Sequence, residues 1–274
     1  METWKLMILA VVQGLTEFLP ISSTAHLALI PRLAHWQDPG LAFDVALHVG
    51  TLFAVFLYFA PTWGRIAMSF LQGNSKGSAE TEPAAWRRLG WLVIIGTIPA
   101  MIAGFLLHRA AESSLRSLPV MGISLILVAL AMWLAERAGK RVKPLVAISR
   151  SDAVTVGIAQ ACAVIPGVSR SGSTIAAGLW RGLDRDGATR FSFLLSTPII
   201  AGAALFEGRE LWKIGMLPEM RGPIALAILL SGITGYLSIW GMIRYVRARS
   251  MMVFVVYRLI LGTAILVVWG AGLA

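Results

Sequence analysis

Charge and cysteine are what this chain has least of. Only 14% of its 274 residues are charged, where a soluble domain carries about a quarter. Acids are the scarcer sign, 14 against 24 Lys and Arg, which leaves a net charge of +10 and a pI of about 10.6. There is one cysteine, Cys162, so no intrachain disulfide can form and no redox compartment is indicated. The four histidines show no H-E-x-x-H spacing, so a zinc-peptidase site is excluded. No Gly-Lys-Ser/Thr follows the glycine- and serine-rich stretches, so they are not Walker loops. The basic balance suggests nucleic acid at first sight. No nucleic-acid motif supports that, and Lys/Arg-rich cytoplasmic loops of membrane proteins give the same balance, so no nucleic-acid partner is expected.

What is present is hydrophobic: 57% of residues, with a mean hydropathy of +0.75. Apolar stretches run over roughly 5–30, 41–62, 89–108, 118–135, 152–180, 191–206, 222–243 and 252–273. Six of them approach the ~20 residues that cross a bilayer. The N-terminal run resembles a signal peptide only briefly. It breaks at Gln13 and Glu17 with no convincing cleavage site, and is expected to be retained. The stretches 5–30 and 152–180 each hold a polar break near the middle and read as re-entrant helical hairpins.

Loop charge sets the orientation. The segments 63–88, 136–150, 181–190 and 244–249 hold fifteen basic residues, whereas 31–40, 109–117 and 207–221 hold six. Placing the first set in the cytoplasm requires both broken segments to re-enter, the first from outside and the second from inside. The expectation is one all-α polytopic membrane domain over 1–274. It has about six transmembrane helices plus two hairpins, in an inverted-topology repeat of residues 1–140 and 150–274. Both termini then fall outside. The stretch Gln72 to Pro83 reads as a flexible cytoplasmic loop. Most tryptophans fall near span ends, as an aromatic belt requires.

The second break runs from Gln160 to Thr174. Pro166 and Gly167 end a helix, and Gly172 permits unusual backbone angles. Ser169, Ser171, Ser173 and Thr174 supply hydroxyls. A helix starting near Ser171 would aim free N–H groups at an anion. Arg170 adds a planar cation suited to phosphate oxygens. The combination reads as a phosphate cradle, against the plainer reading of a snorkelling or ion-paired arginine.

In the first break Gln13 and Glu17 share a helix face at i, i+4. Pro20 then stops the helix, and Ser22, Ser23, Thr24 and His26 follow. A nucleophile, a base and a carboxylate thus lie within one short stretch. The plainer readings are a serine cap for the next helix and a core histidine. Together with Arg170, the functional reading is preferred. Asp44 and His48 share a helix face and read as supporting residues. Asp184 and Asp186 read as solvated charge beside Arg181 and Arg185. Arg258, next to Tyr257, is expected to meet an acid or a carbonyl. His35 and His108 read as solvated.

At these residues the chain resembles the bacitracin-resistance family of undecaprenyl pyrophosphate phosphatases. The resemblance rests on Gln13-Gly-Leu-Thr-Glu17-Phe-Leu-Pro-Ile-Ser-Ser-Thr-Ala-His26 and Pro166-Gly-Val-Ser-Arg170-Ser-Gly-Ser-Thr174. Supporting matches are 43–51, 191–198, and Tyr257-Arg258 with Leu261-Gly262. Where the family motif often reads Glu-x-x-x-Glu, this chain has Gln13, and Ala25 replaces a glycine. The resemblance implies removal of the terminal phosphate from a C55 isoprenoid pyrophosphate in the bacterial inner membrane, recycling the lipid carrier for cell-wall synthesis. It implies Ser23 as nucleophile, with His26 as competing nucleophile or general acid/base. Glu17 is then the base or a metal-side carboxylate, and Arg170 the grip on the pyrophosphate. Gln13, Ser22, Thr24, Gly167, Ser169, Ser171, Gly172, Ser173 and Thr174 complete the expected substrate-binding set. A divalent cation, Mg²⁺ or Ca²⁺, is implied, shared with the pyrophosphate. Loop charge points the site to the periplasmic face. A homodimer is compatible with the sequence. The rival reading is a flippase of isoprenoid phosphate lipids, since inverted repeats with broken helices are a transporter architecture.

Overall fold

The computed structural model describes residues 2–37, 39–72, 82–112, 115–214 and 218–272. Its helices are α1 (Thr3–Phe18), α2 (Ser23–Leu33), α3 (Leu41–Tyr58), α4 (Ala60–Leu71), α5 (Glu82–Glu112) and α6 (Leu118–Ala138). They continue as α7 (Arg150–Cys162), α8 (Arg170–Trp180), α9 (Arg185–Ile214), α10 (Pro218–Ala248) and α11 (Met252–Gly270). Among the described residues the only β pairing is an isolated bridge between Lys143 and Leu183. Five helices are long and apolar enough to cross a membrane, or six if the bent pair α3–α4 is one span. The chain is an all-α, multi-pass membrane protein.

Both polar breaks fold as helical hairpins, for local reasons. Leu19 precedes Pro20, which disfavours the helical region, and it adopts extended angles (φ −69°, ψ 141°) that end α1. α7 ends more gradually. Turn bonds from Val164 N to Ala161 O and Ile165 N to Cys162 O tighten the chain before Pro166. Gly167 then takes φ +91°, and a Cβ there would lie 2.6 Å from Met121 O, so this tip lies flat against the α6 backbone. Each return helix begins at a serine with positive φ, Ser22 at 72° and Ser169 at 66°.

Helix packing sends the hairpins in from opposite ends. Gly14 of α1 lies against Ser231 and Thr234 of α10, and Ser238 Oγ donates to Leu15 O at 2.9 Å. The contacts advance together along both helices, so α1 and α10 run parallel. Gly157 of α7 rests on Gly96 of α5, and Arg88 at the start of α5 donates to Val146 O just before α7, so this pair is parallel too. α6 and α9 lie between α5 and α10 in the chain, so α5 and α10 start at opposite ends of the bundle. The hairpins that accompany them do the same. Beneath the meeting tips Phe18 packs edge-on to Phe193 (5.3 Å between centroids), and Phe193 on Phe59 (6.5 Å).

Three sequence expectations change. The stretch 41–62 is not one straight span. It bends by 68° at Phe59, and α4 occupies part of what reads as a loop over 63–88. Pro61 in the first turn of α4 suits a new helix start. α9 and α10 extend well beyond the apolar stretches 191–206 and 222–243, because hydropathy marks only the turns suited to hydrocarbon while the helices continue through polar turns. The charges between spans are also not simply solvated. Asp186 pairs with Arg190 and Arg247 (both 2.8 Å), and Asp184 accepts from Gly187 N at 2.6 Å. Buried Glu136 binds Arg185 and Arg141, and buried Asp152 binds Arg181 at 2.7 Å and Lys143 at 3.3 Å. The centre of the polar loop, 73–81, lies outside the described residues, as does the side chain of His108. His35 is exposed.

Candidate active site

The last turn of α1 carries Glu17 to the meeting point of the two tips. The residue is only 8% exposed, and its carboxylate is surrounded by donors. Ser23 Oγ donates to Oε2 at 2.7 Å, and Gln13 Nε2 donates to the same oxygen at 3.1 Å. Arg170 Nη2 donates to Oε1 at 3.2 Å across 153 residues of sequence. His48 Nε2 stands 3.7 Å from Oε2. A carboxylate removed from water is retained only when it is paired and hydrogen-bonded. Here the hairpins supply the partners: Ser23 is the first residue of α2 and Arg170 the first of α8.

His26 sits one turn along α2, and both of its ring nitrogens are engaged. Nδ1 lies 2.7 Å from Ser22 O and Nε2 lies 2.6 Å from Tyr257 Oη. A carbonyl can only accept, so Nδ1 carries the proton. Nε2 of the neutral ring then accepts from the tyrosine hydroxyl. The two rings are nearly parallel, 7° apart.

Arg258, beside Tyr257 on α11, is fully buried and meets carbonyls. It donates to Pro20 O at 3.2 Å in the first tip, and to Gly167 O and Val168 O at 3.1 Å in the second. It also donates to Leu125 O at 3.2 Å and Ser124 O at 3.5 Å on α6. These breaks free carbonyls that water would satisfy in a soluble protein. One guanidinium satisfies them here and ties the two tips together.

The hydroxyls of the second tip divide into two groups. Ser171 Oγ donates to Leu19 O at 3.1 Å and joins the tips. Thr174 is fully buried, with its hydroxyl on Arg170 O (2.7 Å) and Ser192 Oγ (2.6 Å). Ser173 donates to Arg170 O at 3.1 Å. Ser169 Oγ caps α8 by accepting from Gly172 N at 3.2 Å. These groups stabilise the start of α8 and the placing of Arg170, and one of the helix's N–H groups is already taken. In the first tip Ser22 Oγ lies 3.0 Å from Thr24 Oγ1, and Thr24 Oγ1 accepts from Gly167 N at 3.4 Å. Ser22 stands at the start of α2 with no side-chain cap bond.

The structure therefore brings together Gln13, Glu17, Ser23 and Arg170, with His26 one turn away. Sequence reasoning gave His48, Tyr257 and Arg258 no part in this group. His48 was marked by its shared helix face with Asp44 and Tyr257-Arg258 by an ionisable group inside an apolar span, and both lie in the supporting family matches, but none was assigned a role at the site. In chemical terms the group offers a serine hydroxyl held by a carboxylate, with a fixed cation on the far carboxylate oxygen. That is the arrangement of a nucleophile, a base and an anion clamp.

Comparison with known proteins agrees over nearly the whole chain. The family described as "Bacitracin resistance protein BacA" matches residues 6–264. The chain is 43% identical to the undecaprenyl-diphosphatase of Trichlorobacter lovleyi, over 97% of each chain. It is 42% identical to that of Desulforudis audaxviator over 98% of each. It is 45% identical to that of Thioalkalivibrio sulfidiphilus over 97% of this chain and 98% of the relative. With both long motifs inside the matched span and meeting at one buried carboxylate, the chain belongs to the BacA bacitracin-resistance family.

Proposed function

We propose that this chain is a membrane-embedded phosphatase that hydrolyses undecaprenyl diphosphate to undecaprenyl phosphate and inorganic phosphate. The observation that carries this reading is the Ser23–Glu17–Arg170 line, 2.7 Å and 3.2 Å long, assembled from two hairpin tips. In this reading the isoprenoid tail stays among the lipids and the diphosphate reaches the tips. Ser23 Oγ attacks the terminal phosphorus, and its proton passes to Glu17 Oε2. The bond from that phosphorus to the bridging oxygen breaks, and undecaprenyl phosphate leaves with the electron pair. Water then displaces Ser23 Oγ from the phosphoryl group as Glu17 returns the proton. Arg170, now shared between Glu17 and the phosphate, offsets charge on the non-bridging oxygens. Ser23 is favoured over His26 as nucleophile because the His26 Nε2 lone pair is occupied by Tyr257.

A divalent cation, magnesium or calcium, would find few protein ligands here. Among the described residues no three His, Cys, Asp or Glu side chains cluster in a way that could hold a metal. Glu17 is one oxygen donor. Gln13 Oε1, buried and without a hydrogen-bond partner among the described residues, is a second. Both are hard oxygens suited to such an ion, which would share the diphosphate and neutralise part of its charge.

We further propose that residues 1–140 and 150–274 form an inverted-topology repeat. The hairpins enter from opposite ends, and Gln13 and Gln160 stand at matching distances before the positive-φ serines Ser22 and Ser169. The basic loops support a bacterial inner membrane placement, with the first hairpin opening to the periplasmic face. Phosphate release from undecaprenyl diphosphate by detergent-purified protein tests the activity. Release without any membrane gradient is expected, and is lost in Arg170→Ala. Folded wild-type protein that releases none with or without divalent cation would instead point to lipid translocation.

A further inference from the structure

Away from the hairpin tips, the start of α5 meets the end of α4 and the start of α7 around a cavity of about 710 Å³. Arg87, Arg88 and Arg150 stand on its wall, and among the described residues no acidic side chain lines it. Phe70, Trp91 and Ile95 continue the wall as apolar surface. Trp91 is 53% exposed and Phe70 40%, so this surface faces outward rather than into the core.

Two of the three arginines are held by no partner among the described residues. Arg88 donates to Val146 O, whereas Arg87 and Arg150 make no hydrogen bond or ion pair among the described residues. This contrasts with Arg141, Arg181, Arg185 and Arg247, each of which is paired with a carboxylate near the same end of the bundle. Three cations on one wall with no counter-charge among the described residues repel one another, so the cavity is complementary to an anion. Apolar surface directly beside it suits hydrocarbon rather than a free ion. A basic pocket between helices at the membrane boundary is the physical form of an anionic-lipid site.

We propose that this cavity binds one anionic glycerophospholipid. Its phosphodiester takes Arg87, Arg88 and Arg150, and an acyl chain lies along Trp91, Phe70 and Ile95. Arg150 is the first residue of α7, so the lipid bridges α5 to the helix that carries the second hairpin. Its headgroup supplies the missing negative charge where α5 and α7 begin side by side.

The test is native mass spectrometry of the detergent-purified full chain, titrated with phosphatidylglycerol or with phosphatidylcholine. Wild type is expected to retain one phosphatidylglycerol in preference to phosphatidylcholine. The double variant Arg87→Gln/Arg150→Gln is expected to bind it roughly thirtyfold more weakly, about one kcal/mol per arginine. Arg65→Gln/Arg244→Gln removes two basic residues outside the cavity and should leave binding unchanged. The variants should keep the wild-type elution profile and melting curve in phosphatidylcholine, since neither Arg87 nor Arg150 holds a structural bond among the described residues. Equal phosphatidylglycerol binding by the Arg87/Arg150 variant, or equal binding of the two lipids by wild type, would overturn the proposal. Displacement of the lipid by millimolar inorganic phosphate would also overturn it, by showing a site for a free anion.

Discussion

At the scale of single residues, chemistry is concentrated on Glu17, which holds the Ser23 hydroxyl on one oxygen and the Arg170 guanidinium on the other. Ser23→Ala removes the hydroxyl proposed to attack while leaving Glu17 paired with Arg170. Turnover of undecaprenyl diphosphate should fall about a thousandfold or more, with only a small fall in melting temperature from the lost hydrogen bond to Glu17. Activity surviving in Ser23→Ala and lost in His26→Ala would move the nucleophile to His26. Tyr257→Phe is subtler. It deletes the hydroxyl that holds His26 Nε2 and keeps the ring, so kcat should drop roughly two- to tenfold, the worth of one hydrogen bond. An unchanged kcat would mean that the Tyr257 contact does not position His26 for the reaction. Gln13→Glu puts a second carboxylate four residues before Glu17 on the same helix face. The variant should need less divalent cation for half-maximal activity, read by titration after EDTA treatment, and an unchanged requirement would mean that this pair does not hold the ion.

At the scale of elements, two close approaches hold the hairpins in place. A Cβ on Gly14 would sit 2.0 Å from Thr234 Oγ1 and 2.5 Å from Ser231 O, whereas Gly104 has nothing within 4 Å. Gly14→Val should cost about 1–3 kcal/mol in detergent unfolding, and Gly104→Ala should be neutral or slightly stabilising. Arg258→Met tests the fastener. It strands the Pro20, Gly167 and Val168 carbonyls of the two breaks in a dry interior, at ~1–3 kcal/mol each where nothing replaces the donor. Both hairpin tips should loosen, so phosphate release and the unfolding midpoint fall together, the midpoint further than in Ser23→Ala. Much of this level was legible beforehand. Pro20 and the Pro166-Gly167 pair announce the breaks, and the Ser-rich runs after them announce new helix starts. The bend at Phe59 was not legible, because Tyr58, Phe59 and Ala60 are apolar and continue the hydropathy of α3 without interruption. The pairing of Glu136 with Arg185 and of Asp152 with Arg181 was not legible either, since these partners lie 49 and 29 residues away.

At the scale of the whole molecule, opposed hairpins give a topology that can be measured. With Cys162 replaced, single cysteines at Glu2 and near Gly272 should react with a membrane-impermeant maleimide from outside intact cells. Cysteines at Ser149 and Arg181 should react only after permeabilisation. Labelling of Glu2 and Ser149 positions from the same side would break the inverted arrangement. Composition, the lengths of the apolar runs and loop charge determined by themselves that the chain is a multi-pass helical protein with two interrupted segments. These are local properties, set by transfer of side chains into hydrocarbon and by backbone restrictions at proline and glycine. The candidate residues of both breaks were equally readable, because ionisable side chains are costly in an apolar segment and therefore stand out. Only the tertiary structure decided which of them meet. Glu17 and Arg170 are brought within 3.2 Å, Tyr257 closes on His26, and Arg258 supplies the donors that both breaks lack. No periodicity encodes those pairings, since each depends on helices far apart in sequence packing in register and on buried charges and carbonyls finding partners where water is absent.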